Sequence, residues 1–296
     1  MLGFHNGVMD TFRFTLASGR VVGGAEFGNR SSSDVVVLCH PAPGSSLFDP
    51  DPDATTAANV RVIALDRPGY GPSQLDGGGP VSVRRAAEDV AEYLDEQGIT
   101  TASAVGWSAG GRVALALAAA QPEVVCRVAV VATPAPDSEV PWVGDDNRAV
   151  LESFRSMSSA DATAALTAFI DEYRGAKPTG AALLADLTTP GADGPLLMRA
   201  RDRLIDMLDR AAEQGNVGMA ADMVSYTLMD LGFELDRVRA KTLLLYGGGD
   251  PAVGERHATW HEQRIANARI EVVAGAGHLV VVPSWHRVLA HLVPPE

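Results

Sequence analysis

Lysine is nearly missing from this chain: of 24 basic residues, all but Lys177 and Lys241 are arginine. Basic residues of either kind are outnumbered by 37 Asp and Glu, leaving a net charge of −13 at pH 7. A surface of that sign repels nucleic-acid phosphates and anionic membranes, so neither is an expected partner; its plain use is solubility. Cysteine is equally scarce. Cys39 and Cys126 cannot form a disulfide framework. Each ends or interrupts an apolar run, "VVVLC" and "VVCRVAVVA", that reads as a buried strand, where a free thiol behaves as a small hydrophobe. A reduced, cytoplasmic protein is the simplest expectation, with one disulfide left open. No apolar run approaches a membrane span. The start, "MLGFHNGVMD", has neither a basic nor an apolar targeting region. Internal repeats and low-complexity segments are absent as well.

What is present is a 296-residue chain that is 46% hydrophobic, enough for a substantial core. Residues 11–16 and 20–27 read as a hairpin around "ASGR". Then short apolar runs alternate with helical stretches. The runs "DVVVLC", "RVIALD", "ASAVGW", "VCRVAVVA", "KTLLLYG" and "RIEVVAG" are apolar on both faces, as parallel strands covered by helices must be. "VSVRRAAEDVAEYLDEQG" carries helical periodicity and stops at Gly98, and "SAGGRVALALAAAQP" is an alanine-rich helix closed by Pro122. Residues 254–267 and 284–292 read as further helices. The alternation breaks between Thr133 and Arg239, where amphipathic helices (147–157, 161–173, 196–213, 217–231) follow one another without a strand. The fold class is therefore α/β, a mostly parallel central sheet flanked by helices, with an inserted all-helical cap. The core is expected over 1–133 and 240–296 and the cap or lid over 134–239; a helical domain of unrelated purpose is the alternative.

Gly106-x-Ser108-x-Gly110, in "AVGWSAGGRVALA", lies directly between an apolar strand and an apolar helix. In that context G-x-S-x-G means a nucleophile elbow. Small residues let strand and helix approach, and the serine emerges at a helix N-terminus that favours developing negative charge. A serine needs a base. Of seven histidines, His278 follows the last strand run, at the carboxyl edge that Ser108 also occupies. His257 and His261 share a helix face, but no Glu completes H-E-x-x-H, so they read as a solvated face and not a metal pair. His286 and His291 look structural, and His5 belongs to a frayed end. The acid that orients the histidine is expected at Asp250, after "LLLYGGG", with Asp137 as runner-up. No metal and no organic cofactor are expected.

The order Ser108, Asp250, His278 resembles that of the α/β-hydrolases. The motifs "CHPAPGS", "LDRPGYGPS", "GWSAGG", "GGGDPAV" and "GAGHLV" cover the chain from about residue 35 to its end in that family's order. The resemblance is to serine hydrolases with a helical cap, among them esterases, lipases and peptidases. It implies an oxyanion hole made by the Ala109 amide and by a residue of the loop after the third strand. That loop usually resembles "HGxPG"; here Pro41 replaces the first glycine, and the x position is Ala42. Between His40 and Gly44 only Ala42 can donate, because Pro41 and Pro43 have no N–H. Ser45 or Ser46 could assist, and Arg67 in "LDRPGYGPS" could anchor that loop. Dehalogenases and epoxide hydrolases of the family usually carry Asp as nucleophile, and Ser108 argues against both.

These readings imply cleavage of a small carboxylic ester by acyl-enzyme chemistry. A small-molecule substrate is expected, with the chain a monomer or homodimer. The alternatives are an aminopeptidase or amidase of the proline iminopeptidase type, with Glu213 or Glu234 binding an amine, and a C–C hydrolase or perhydrolase. A non-catalytic small-molecule receptor is the remaining one. "GWSAGG" departs from the "GGSWG"-like elbow of the iminopeptidases. Met207, Leu208, Met219, Met223, Phe154 and Phe169 would pack the cap or give the pocket an apolar wall, with Trp107 and Trp142 as further lining.

Overall fold

The structure is a computed structural model that describes residues 9–75 and 82–294. The β-branched runs become eight strands: β1 (Asp10–Thr15), β2 (Val21–Gly28), β3 (Val35–Cys39), β4 (Arg61–Leu65), β5 (Ala102–Trp107), β6 (Val125–Val131), β7 (Lys241–Gly247) and β8 (Ala268–Val273). They form one sheet in the order β1-β2-β4-β3-β5-β6-β7-β8. The hairpin strand β1 pairs antiparallel with β2, and β2 antiparallel with β4; every pair from β4 to β8 is parallel.

The helices are α1 (Pro52–Ala58), α2 (Val83–Glu96), α3 (Gly110–Ala120), α4 (Asp145–Ser153), α5 (Ser159–Arg174), α6 (Gly180–Leu183), α7 (Gly194–Ala211), α8 (Val217–Thr227), α9 (Glu255–Glu262) and α10 (Val281–Leu292). Alternate residues of each strand enter opposite layers, as a period of two requires. Val37, Ile63, Ala104, Val128 and Leu244 pack on the side of α2, α3 and α9. Val36, Val62, Val105, Ala129 and Leu245 pack on the side of α1 and α10. Both sheet faces are covered, which explains the uninterrupted apolar runs.

Helices α4 to α8 lie between β6 and β7, within the stretch expected to be helical. They do not form a unit apart. Leu187, Leu204, Met207 and Leu208 join the apolar cluster that holds Trp107 and Leu245. Tyr226 of α8 joins the opposite one. Only Val143, with residues of α4, α5 and α8, makes a small cluster of its own. Met207 and Leu208 are thus packing residues, whereas Met219, Met223 and Phe169 line a groove of about 350 Å³ between α4, α5 and α8.

Two burial expectations need correction. Cys126 is exposed, not buried. The register between β5 and β6 slips there, from Ala102 opposite Val125 to Ser103 opposite Arg127, so Cys126 is the extra residue of a bulge and is turned out of the core. His257 and His261 are buried, not solvated. Their face of α9 packs on the sheet, where a ring nitrogen can be satisfied: His261 Nδ1 lies 2.8 Å from the carbonyl of His257 and 3.3 Å from the Tyr246 hydroxyl. His5 lies outside the described residues.

The strand-to-helix turn at Ser108 tolerates no larger neighbour at Gly110. A Cβ there would stand 2.0 Å from the Cys39 carbonyl oxygen, and backbone cannot swing aside. Gly110→Ala is therefore expected to cost about 3 kcal/mol or more, read as a lowered urea midpoint against wild type.

Candidate active site

Strand order creates the site. From β3 the chain moves to β4 on one side and then to β5 on the other. The loops after β3 and β5 therefore part at the carboxyl edge and leave a crevice, where sheets of this kind bind ligands. Ser108 emerges there from the end of β5. Its φ is +54°, in the left-handed region that costs a serine backbone strain. The turn holds because the Ser108 N–H donates to the Val131 carbonyl at 2.8 Å and Gly106 lets α3 approach closely: a Cβ at Gly106 would meet Gly110 at 2.2 Å.

The chain end of β7 and the loop after β8 bring the other two residues. Gly247 has no Cβ to collide with the Ala276 and Gly277 carbonyls, 2.4 Å from where one would sit, so the two loops interlock. Asp250 Oδ2 lies 2.7 Å from His278 Nδ1, and His278 Nε2 lies 2.9 Å from Ser108 Oγ. A carboxylate can only accept, so Nδ1 carries the proton and Nε2 is left to accept from the serine. The other Asp250 oxygen accepts the Ala252 and Val253 amides at 3.0 and 2.9 Å. Burial alone would raise the Asp250 pKa; the hydrogen bond and charge of His278, with those amides, outweigh it and hold the carboxyl below its ordinary value.

The runner-up acid is placed otherwise. Asp137 accepts the Trp142 and Val143 amides, both at 2.8 Å, and pairs with Arg148 at 3.0 Å. Trp107 is not pocket lining. It is buried against Phe48, and its Nε1 donates to the His278 carbonyl at 3.0 Å.

Ala42 and Ala109 sit on the two loops that flank the crevice. Neither amide donates to an acceptor among the described residues, although Ala109 is buried. The Ala42–Pro43 bond is cis. Ser45 is not free to assist, since its hydroxyl donates to the Met207 carbonyl at 2.7 Å.

Arg67 explains how the β3 loop is held. Its guanidinium donates to the carbonyls of His40 and, at 2.7 Å, of Pro41, while its own amide donates to His40 Nε2 at 3.0 Å. The charge is met by Asp222 of α8 at 2.6 Å, which also accepts the Tyr70 hydroxyl at 2.8 Å. Burial works against the Arg67 cation, but the Asp222 carboxylate more than offsets it. His40 is held neutral, its pKa pushed well down by burial and by the Arg67 charge. Asp222 gives no local sequence signal, because its partner lies 155 residues away.

Two outcomes follow from these buried groups. Asp222→Ala strands a buried guanidinium, and a loss of about 3–5 kcal/mol is expected in urea denaturation. Acid should destabilise the protein through His261, whose pKa burial pushes down to about 3 from an ordinary 6.5. Between those values the unfolded chain binds a proton that the native one refuses, so stability falls as pH falls from about 6.5 toward 3. His261→Gln removes that proton site. Stability measured against pH should then be flatter by about 1.4 kcal/mol per unit within the window.

Comparison with known proteins agrees with this fold. The family model for the alpha/beta hydrolase fold matches residues 34–283. A pimeloyl-[acyl-carrier protein] methyl ester esterase of Neisseria meningitidis is 29% identical over 75% of this chain and 63% of its own length. The dihydrolipoyllysine-residue acetyltransferase component of the acetoin cleaving system of Cupriavidus necator is 31% identical over 79% of this chain and 54% of its own. The chain thus spans less than two thirds of both relatives. Among solved structures, the enol-lactonase of Burkholderia xenovorans LB400 superposes with a TM-score of 0.69 at 22% identity, covering 96% of this chain and all of that one, a likeness of fold. A glycine-framed serine at the switch point of a mostly parallel sheet, matched by a family model across most of the sequence, makes the chain a member of the alpha/beta hydrolase fold family and a hydrolase.

Proposed function

We propose that the chain is a serine hydrolase that cleaves a small carboxylic ester through an acyl-enzyme, with Ser108, His278 and Asp250 as its triad. The observation that carries this reading is the unbroken hydrogen-bonded line from Asp250 through His278 to Ser108, at 2.7 and 2.9 Å. As Ser108 Oγ attacks the ester carbonyl, its proton passes to His278 Nε2, and the Asp250 carboxylate stabilises the imidazolium. The tetrahedral oxyanion rests against the amides of Ala42 and Ala109, which no acceptor among the described residues occupies. Collapse expels the alcohol, which takes the proton from His278. Water then gives His278 a proton as it attacks the acyl carbon, and Ser108 leaves with that proton.

The ester class is supported by relatives named as methyl ester esterases. Their carrier-borne acyl group is not carried over to this chain. The helices of residues 134–239 serve as the cap over the crevice. The amidase alternative gains no support from its acidic residues. Glu213 pairs with Arg210 at 3.2 Å, and Glu234 is exposed.

Wild type should hydrolyse p-nitrophenyl acetate faster than aminoacyl arylamides and take up a fluorophosphonate. Ser108→Ala should abolish labelling. Asp250→Asn should stay folded and lose roughly 10³–10⁴-fold in kcat, because the amide no longer fixes the tautomer. Equal labelling of wild type and Ser108→Ala would sink the assignment, and full activity in Asp250→Asn would remove the acid.

A further inference from the structure

Asp193 stands at the N-terminus of α7, where an aspartate ordinarily accepts the first amides of its own helix. It does not do so here. Its side chain turns away, is fully buried, and spans two other backbone groups. One oxygen accepts the Leu279 amide at 3.2 Å; the other accepts the Thr189 amide at 2.6 Å. Thr189 in turn accepts the His278 amide on its hydroxyl at 3.2 Å. The fit is close, since a Cβ on Gly277 would lie 2.6 Å from the carboxylate.

These bonds have a specific target. The peptide group before His278 is held through its N–H by Thr189. The one after it is held through its C=O by Trp107 and through its N–H by Asp193. Both peptide planes that flank the histidine are therefore fixed. The imidazole keeps only its side-chain torsions, and Asp250 sets those. Thr189 and Asp193 belong to the helical insertion; Trp107 ends β5 and Asp250 lies in the loop after β7.

We infer that Thr189 and Asp193 are positioning residues for His278, so that seating the insertion on the sheet and aiming the base are one event. This rests on the triad reading above. The carboxylate is required as a double acceptor. Asn in its place offers one acceptor and sets an NH2 against a backbone N–H. Thr189→Val keeps the shape and removes the acceptor, leaving the His278 amide buried without a partner. Thr189→Ser restores it.

The test compares steady-state kinetics on p-nitrophenyl acetate for wild type, Asp193→Asn, Thr189→Val and Thr189→Ser, with folding checked by circular dichroism. Ser108→Ala is labelled in parallel. Exposed Met198→Ala, on the same helix as Asp193, is the control expected to match wild type. A misaimed base should lower kcat about 10–100-fold in Asp193→Asn and Thr189→Val, leave KM within about twofold, and recover in Thr189→Ser. A folded Thr189→Val with kcat within twofold of wild type overturns the positioning role, as does a loss that Thr189→Ser does not reverse. Loss of labelling in Ser108→Ala keeps the triad standing in either case. Labelling that survives Ser108→Ala overturns the triad and this inference together.

Discussion

A buried guanidinium cannot be left alone, and much of this site follows from how Arg67 is satisfied. Taking its charge out of water costs several kcal/mol unless a counter-ion and acceptors replace the solvent. The replacements come from three places: Asp222 in the insertion, and the carbonyls of His40 and Pro41 in the loop after β3. One cation thereby ties that loop to α8. The prolines at 41 and 43 limit the loop's own freedom, and Arg67 fixes where the stiff segment sits. Removing the Asp222 charge would disturb a pair whose members are both nearly inaccessible, with no solvent route to relief.

The same logic recurs at the opposite end of the crevice with the sign reversed. There the buried ion is the Asp193 carboxylate, and two backbone amides satisfy it, that of Leu279 in the loop after β8 and that of Thr189 in the insertion itself. Its position beside the start of the turn leading into α10 also suits a negative charge. The insertion thus contributes two buried carboxylates, one acting through an arginine on the loop after β3 and one directly on the loop that carries His278. Neither touches the serine. Asp193 accepts backbone amides directly, whereas Asp222 accepts the Arg67 guanidinium, which in turn donates to backbone carbonyls; either way backbone that would otherwise be free to move is held.

Ser108, Asp250 and His278 are legible in the sequence because each depends on local backbone chemistry: glycines that permit a sharp turn, directly after an apolar run that ends at the sheet's carboxyl edge. That Ala42 keeps the one amide donor between His40 and Gly44 is legible for a related reason, since its neighbours at 41 and 43 cannot donate. Asp193 and Asp222 are not legible. As letters, Asp193 is a polar residue of the loop "LTTPGADGP" and Asp222 one on an amphipathic helix, and their partners lie 86 and 155 residues away. Burial fails for the same cause. The periodicity that places His257 on a helix face does not say whether solvent or sheet meets that face. Here its Nδ1 accepts the Ala135 amide at 3.1 Å, so the ring is a core strut. Cys126 fails differently, because a one-residue register slip is a property of a strand pair and not of a strand.

The fastenings divide the insertion into two parts. Helix α7 is tied down through Met207 to Ser45 and through Arg203 to the carbonyls of Asp49 and Pro50. Gln214, just beyond it, donates to the carbonyls of Gly71 and Ser73, and α8 is tied by Asp222. Helices α4 and α5 rest on α8 chiefly through an apolar cluster of their own, with Asn216 at the start of α8 donating to Asp171 of α5 at 2.7 Å and Arg148 of α4 donating to Asp137 at 3.0 Å. Apolar contact fixes volume but not direction, so it tolerates exchange of side chains of similar size better than a hydrogen-bonded tie does. The parts of the insertion that hold the loops after β3 and β8 are thus separate from the parts bordering the groove of Met219, Met223 and Phe169. Side chains along α4 and α5 can change the apolar wall without releasing either buried carboxylate.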